Sequence, residues 1–195
     1  MRQFFFAVLE ALVASIFLLP LFWHLNQVRF QSRKTACLYF LLAFYLCGVY
    51  AVAGLPNITY IRFRPNINLK PFLYMFSAYS TSFLNVLLFV PLGFFLTILW
   101  KRFRNPGWNL MMGLGISVTV ETLQIFTFRA TDINDLMTNT LGTFLGWLLG
   151  RILIRIWPDV GYENPEKDLT VVISSVMLVM FFCHPLLSSL IRKLF

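Results

Sequence analysis

The chain has 195 residues; 58% are hydrophobic, 12% are charged, and 16 Lys and Arg stand against 8 Asp and Glu for a formal charge of +8. An ordinary soluble domain carries about 25% charged residues, so this composition excludes a soluble enzyme, a disordered chain and a disulfide scaffold. Excess base with so little polar surface points to membrane loops and anionic lipid, and away from nucleic acid.

A transmembrane helix needs about 20 mostly apolar residues. The first such stretch, 4–25, follows Arg2 and could open a signal peptide, but it is too long, carries Glu10 and lacks a clear cleavage site, so it reads as a retained helix. Further stretches follow at 36–55, 83–100, 110–128, 136–157 and 169–190, with Trp23, Trp100, Trp108 and Trp157 near their ends as an interfacial belt requires. The expected fold is all-α, a polytopic membrane helix bundle of about six transmembrane helices. Cys37, Cys47 and Cys183 lie in apolar runs and read as buried structural thiols.

The short loops set the orientation. Arg29, Arg33 and Lys34 fill the first, Lys101, Arg102 and Arg104 the third, and Arg151 and Arg155 open the fifth, which places the odd loops in the cytoplasm and both termini outside. Asp159, Glu163, Glu166 and Asp168 belong to the fifth loop and read as solvated. The second loop alternates base and apolar residues through Arg62, Arg64, Asn68 and Lys70, and its two prolines forbid a continuous helix, so it suits an interfacial lid. The second and fourth loops emerge on one side, which lets the arginines of one meet the aspartates of the other.

Polar residues within the spans are costly and turn to the bundle interior. The fifth span opens with Asp132, Asp135, Asn139, Gly142 and Gly146, spaced 3, 4, 3 and 4, a single helical stripe. The fourth carries Gly113, Ser117, Glu121 and Gln124 in the same manner. Glycine on a stripe admits close helix approach, so spans four and five are expected to pack tightly at depth and to open into a polar pocket at one surface. A buried, ionised Glu121 needs a partner, and Arg129, eight residues on, is the expected one. In span three, Asn85, Phe89 and Gly93 share a face, and Pro91 should kink the helix.

Asn68-Leu69-Lys70-Pro71-Phe72, Asn85 with Phe89-Val90-Pro91-Leu92-Gly93, Glu121-Thr122-Leu123-Gln124, and Arg129 with Asp132, Asp135, Asn139 and Gly142 resemble the VanZ-like family in order and spacing. The resemblance covers about residues 60–150. It implies a small protein of the bacterial cytoplasmic (inner) membrane, multi-pass, in a family whose namesake is associated with resistance to the glycopeptide teicoplanin and which brings no established catalytic activity. It divides the chain into an accessory helix pair, 1–57, a VanZ-like core of three helices and a lid loop, 58–157, and a cytoplasmic loop with a C-terminal helix, 158–195.

The expected function is binding of an anionic lipid or cell-wall precursor head group, polyprenyl-linked or phospholipid, with no cofactor. The binding residues are Arg64, Asn68, Asn85, Glu121, Gln124, Arg129, Asp132, Asp135 and Asn139. One alternative is a metal-dependent enzyme acting on a lipid-linked phosphate, with Asp132 and Asp135 holding Mg2+ or another divalent cation. The other is a lipid flippase or transporter, against which the absence of an internal repeat counts.

Overall fold

The computed structural model describes residues 2–63, 65–72, 79–127 and 129–194. It is all-α apart from two short strands: α1 (Arg2–Leu25), α2 (Arg33–Ala53), β1 (Ile67–Asn68), α3 (Tyr79–Leu99), α4 (Pro106–Gln124), β2 (Thr131–Asp132), α5 (Ile133–Ile156) and α6 (Glu166–Leu194). Three helical stretches, Phe5–Phe30, Arg33–Ala53 and Thr81–Leu99, are long and apolar enough to cross a membrane. The chain forms two units, one of residues 1–61 with 167–195 and one of residues 62–166.

In the first unit α1 and α2 pack as a pair. Ala7, Ala11, Ala14, Leu18 and Phe22 recur every three or four residues and form the buried stripe of α1. A π-helical turn at 26–30 ends α1, and Gln31 adopts a left-handed conformation (φ 52°). Ser32 then caps α2 by accepting from the Thr35 backbone N–H, and Gly54, at φ 63°, ends that helix. Asp168 is 4% exposed and sits in α6, where it accepts from Arg29 Nε at 2.6 Å and from the Tyr39 hydroxyl at 3.1 Å. The solvated loop expected at 159–168 therefore ends before Asp168, because a buried carboxylate with an arginine partner is tolerated inside a helix pair. Of the cysteines, Cys47 is buried, Cys183 half-buried and Cys37 exposed. Cys37 thus departs from the expected burial, since an apolar sequence context is equally served by an outward face.

The second unit is built on the contact of α3 with α5. A Cβ on Gly146 would overlap the Val90 carbonyl, one on Gly142 the Val86 carbonyl, and one on Gly93 the Thr143 carbonyl. The two backbones touch, and only hydrogen fits between them. The glycine stripe of α5 therefore faces α3, and the expected tight contact of spans four and five is corrected. Only Gly113 of α4 approaches α5 as closely, against the Thr143 side chain. Helix α4 starts at Asn105, whose Oδ1 accepts from the Gly107 and Trp108 N–H groups, with Pro106 at the first helical position. Fully buried Asn109 ties that start to α3, donating to the Gly93 carbonyl, Thr97 Oγ1 and the Phe103 carbonyl. α3 runs as one assigned helix through Pro91.

This interior buries small polar side chains beside large apolar ones such as Phe89, Leu96 and Trp100, while the outward faces are apolar. Thr97, Asn109, Ser117, Asn139 and Thr143 are buried, whereas Phe83, Leu87, Met111, Leu141, Leu149 and Ile152 are exposed. Water does not reward that arrangement; lipid does.

Candidate functional site

Five segments of the second unit meet at one end: the strand at 67–68, the start of α3, the end of α4, the strand at 131–132 and the start of α5. β1 and β2 pair in parallel, with Ile67 opposite Thr131 and Asn68 opposite Asp132. The Thr131 N–H extends the ladder by donating to the Asn66 carbonyl at 2.9 Å. The expected lid segment is thereby fixed to the start of α5, at least over the residues described.

Asp132 is the centre of this junction. Its Oδ1 caps α5, accepting from the Asn134 backbone N–H and the Asn134 amide, both at 2.9 Å, and its Oδ2 accepts from the Asn68 amide at 3.1 Å. Its own N–H donates to Glu121 Oε2 at 3.0 Å, and Thr131 Oγ1 donates to the Glu121 carbonyl at 2.9 Å. Glu121 is 4% exposed and has Asp132 and Asp135 as its charged neighbours. At the Glu121 carboxylate a hydrogen bond comes from the Asp132 backbone N–H, and exposed Arg129, the partner expected for Glu121, acts electrostatically on Asp135.

Asp135 is half-buried and hydrogen-bonds to the Asn85 side chain of α3. One turn deeper, Asn139 is 4% exposed and its amide donates to Ser117 Oγ at 2.9 Å, which joins the stripes of α5 and α4. The Asn139 side-chain oxygen, Oδ1, has no hydrogen-bond partner. Gln124 is buried in the last turn of α4. The structure thus brings Asn68, Asn85, Glu121, Gln124, Arg129, Asp132, Asp135 and Asn139 to one end of the unit. Arg64 lies outside the described residues. From the second loop it is the Asn68 amide that meets an aspartate; Arg62 and Lys70 are exposed.

Asn134 was absent from the sequence reading and is buried here. It donates to Asp132 and accepts from the Phe72 backbone N–H at 2.7 Å. Its signal was available: an asparagine two residues after an aspartate N-cap has both polar atoms free to bind loops.

Chemically the site is rich in acceptors. Three carboxylates and an unpartnered amide oxygen face a set of neutral N–H donors, and the nearby bases lie at the rim. Among the described residues no group of three or more His, Cys, Asp or Glu side chains is placed to hold a metal ion. Asp132 Oδ1 already accepts two hydrogen bonds and Oδ2 one.

Apolar outward faces around a buried polar junction, held by backbone contact between helices, define a helical membrane protein. The chain belongs to the VanZ/LLP1 family, whose profile matches residues 5–154. It is also similar to "Protein VanZ" of Enterococcus faecium, at 42% identity over 65 residues, or 32% of this chain and 38% of that protein. The chain therefore matches well under half the length of that relative. The family match takes in α1 and α2, beyond the region of about 60–150 that carried the resemblance. No solved structure matches this chain.

Proposed function

We propose that this is a multi-pass protein of the bacterial cytoplasmic membrane, crossing it about six times, that binds the head group of an anionic lipid or lipid-linked cell-wall precursor at the junction of the second and fourth loops. The observation that carries this reading is the convergence of Glu121, Asp132 and Asp135 beside exposed Arg129, with exposed Lys70 two residues after Asn68. The carboxylates and Asn139 Oδ1 would accept from the hydroxyl and amide groups of a sugar or peptide. The bases at the rim would take its phosphate. Exposed Ile67, Leu69, Phe72, Phe83 and Leu87 flank the same end, and offer an apolar surface for the lipid tail. The resemblance to a family whose namesake is associated with teicoplanin resistance supports a cell-wall precursor as the ligand.

The test is direct. The full chain in detergent is titrated with a polyprenyl-diphosphate sugar and with the free sugar, and bound species are read by native mass spectrometry. The lipid-linked form should bind, and Asp135→Asn or Arg129→Gln should weaken it, while Lys101→Gln at the opposite end should not. Equal binding by all variants would sink this reading. Cleavage of the diphosphate that requires added Mg2+ would favour the enzyme alternative instead.

A further inference from the structure

The opposite end of α5 carries a second charged feature, which the binding site leaves unused. Arg151 and Arg155 lie one helical turn apart, both exposed, on a face with Leu148, Ile152 and Ile154 around an open cavity of about 400 Å3. Neither arginine makes an ion pair or hydrogen bond with any described residue. Of the acids that follow, Glu163 pairs with Lys101 and Arg104 and Glu166 with Arg102, while exposed Asp159, four residues after Arg155, is in no ion pair among the described residues. From Asp132 to Arg151 the chain rises roughly 28 Å at about 1.5 Å per helical residue. That is close to the thickness of a bilayer core, about 30 Å. The arginine pair thus falls at the interface remote from the binding site.

We infer that Arg151 and Arg155 form a binding site for the phosphate of an anionic phospholipid in the leaflet facing the third and fifth loops. Two guanidinium groups a turn apart can each give paired N–H donors to one phosphate. Ile152 lies between the two arginines along the helix and Leu148 one turn toward the bilayer core, and together they offer an apolar surface to the upper part of an acyl chain. A soluble anion would gain only the first of these interactions. A zwitterionic lipid would place its own ammonium beside the arginines and lose most of the attraction.

Native mass spectrometry of the full chain titrated in detergent with phosphatidylglycerol, and separately with phosphatidylcholine, tests this. Wild type should bind phosphatidylglycerol in preference, and Arg151→Gln with Arg155→Gln should weaken the first binding event about tenfold or more. Arg33→Gln with Lys34→Gln removes the same charge from the first loop and should leave that event intact. Equal loss in both double variants, or no loss in the first, would overturn the site. Displacement of the lipid by millimolar inorganic phosphate would also overturn it, because the apolar surface would then contribute nothing. Should the glutamine pair fail to fold, Arg151→Lys with Arg155→Lys carries the test. It keeps the charge but not the paired donors, and should lose several-fold affinity; unchanged affinity refutes the site. Asp135→Asn should leave this binding unaltered whatever it does to the precursor site.

Discussion

The two ends of the 62–166 unit hold their acids in opposite ways. At the end with the second and fourth loops, Glu121 and Asp132 are met by backbone and amide N–H groups. At the end with the third loop and residues 157–166, Glu163 and Glu166 are met by Lys101, Arg102 and Arg104. An ion pair discharges its carboxylate; a neutral N–H holds it in place and leaves the charge to act on something else. The exposed pairs serve as a polar fastening between loops and are individually weak. The amide-held acids are half or fully buried, so their charge is costly to keep. Acids buried at such cost and held by neutral donors are the ones to test for a ligand.

The largest effect should come from the contact on which both ends depend. Gly146→Leu drives a side chain into the Val90 carbonyl, and should cost more than about 4 kcal/mol, seen as loss of folded protein on purification. Leu149→Ala, on an exposed position of the same helix, should be within about 0.5 kcal/mol of wild type. If both variants purify alike, the backbone contact is wrong.

Next comes the acid end. Asp132→Ala removes the cap of α5 and leaves the Asn68 and Asn134 amides without their acceptor, at about 2–3 kcal/mol by thermal unfolding. Asp132→Asn can still cap and should recover about half. A wild-type melting curve for the alanine variant would show that the strand pair does not depend on this carboxylate.

A smaller effect separates the two partners considered for Arg129. Arg129→Ala should cost about 1 kcal/mol or less, as an exposed charge does. A double-mutant cycle should couple it to Asp135 and give near-additive effects with Glu121→Gln. Strong coupling to Glu121 would support the pairing expected from the sequence.

The smallest effect belongs to the basic end. Arg102→Gln breaks an exposed pair with Glu166 and the stacking of Arg102 on Trp108 at 3.8 Å, and should shift stability by roughly 0.5–1 kcal/mol. Most of that difference should vanish in molar salt if the ion pair supplies it; persistence would assign it to the aromatic contact.

The helices, their polar stripes and the meeting of α4 with α5 through Ser117 and Asn139 were legible because a period of 3.6 shows directly in one chain. The partner of the glycine stripe was not. Gly142 and Gly146 announce close approach, but only the three-dimensional path selects α3 over α4 to fill it. The bond from the Asp132 N–H to Glu121 was also hidden, because the turn after α4 brings a backbone donor round to the carboxylate and backbone donors leave no trace in residue identity. The strands at 67–68 and 131–132 were illegible for a similar reason, since two residues cannot display an alternation. Asn134 was missed because an asparagine near a helix start reads as ordinary.

The pairing of β1 with β2 also has a consequence for how the protein is made. Asn68 and Asp132 are 64 residues apart, and α3 and α4 lie wholly between them. The junction cannot close while the ribosome is still completing α4. Until Asp132 emerges, Glu121 has neither its backbone donor nor its neighbours, and the 67–68 segment has no strand to join. The polar pocket therefore cannot begin to assemble until the hairpin of α3 and α4 has been synthesised. Contacts of such long sequence separation form late and slowly. A ribosome stalled between Gln124 and Asp132 would hold a chain with α1 to α4 made and its polar junction still open.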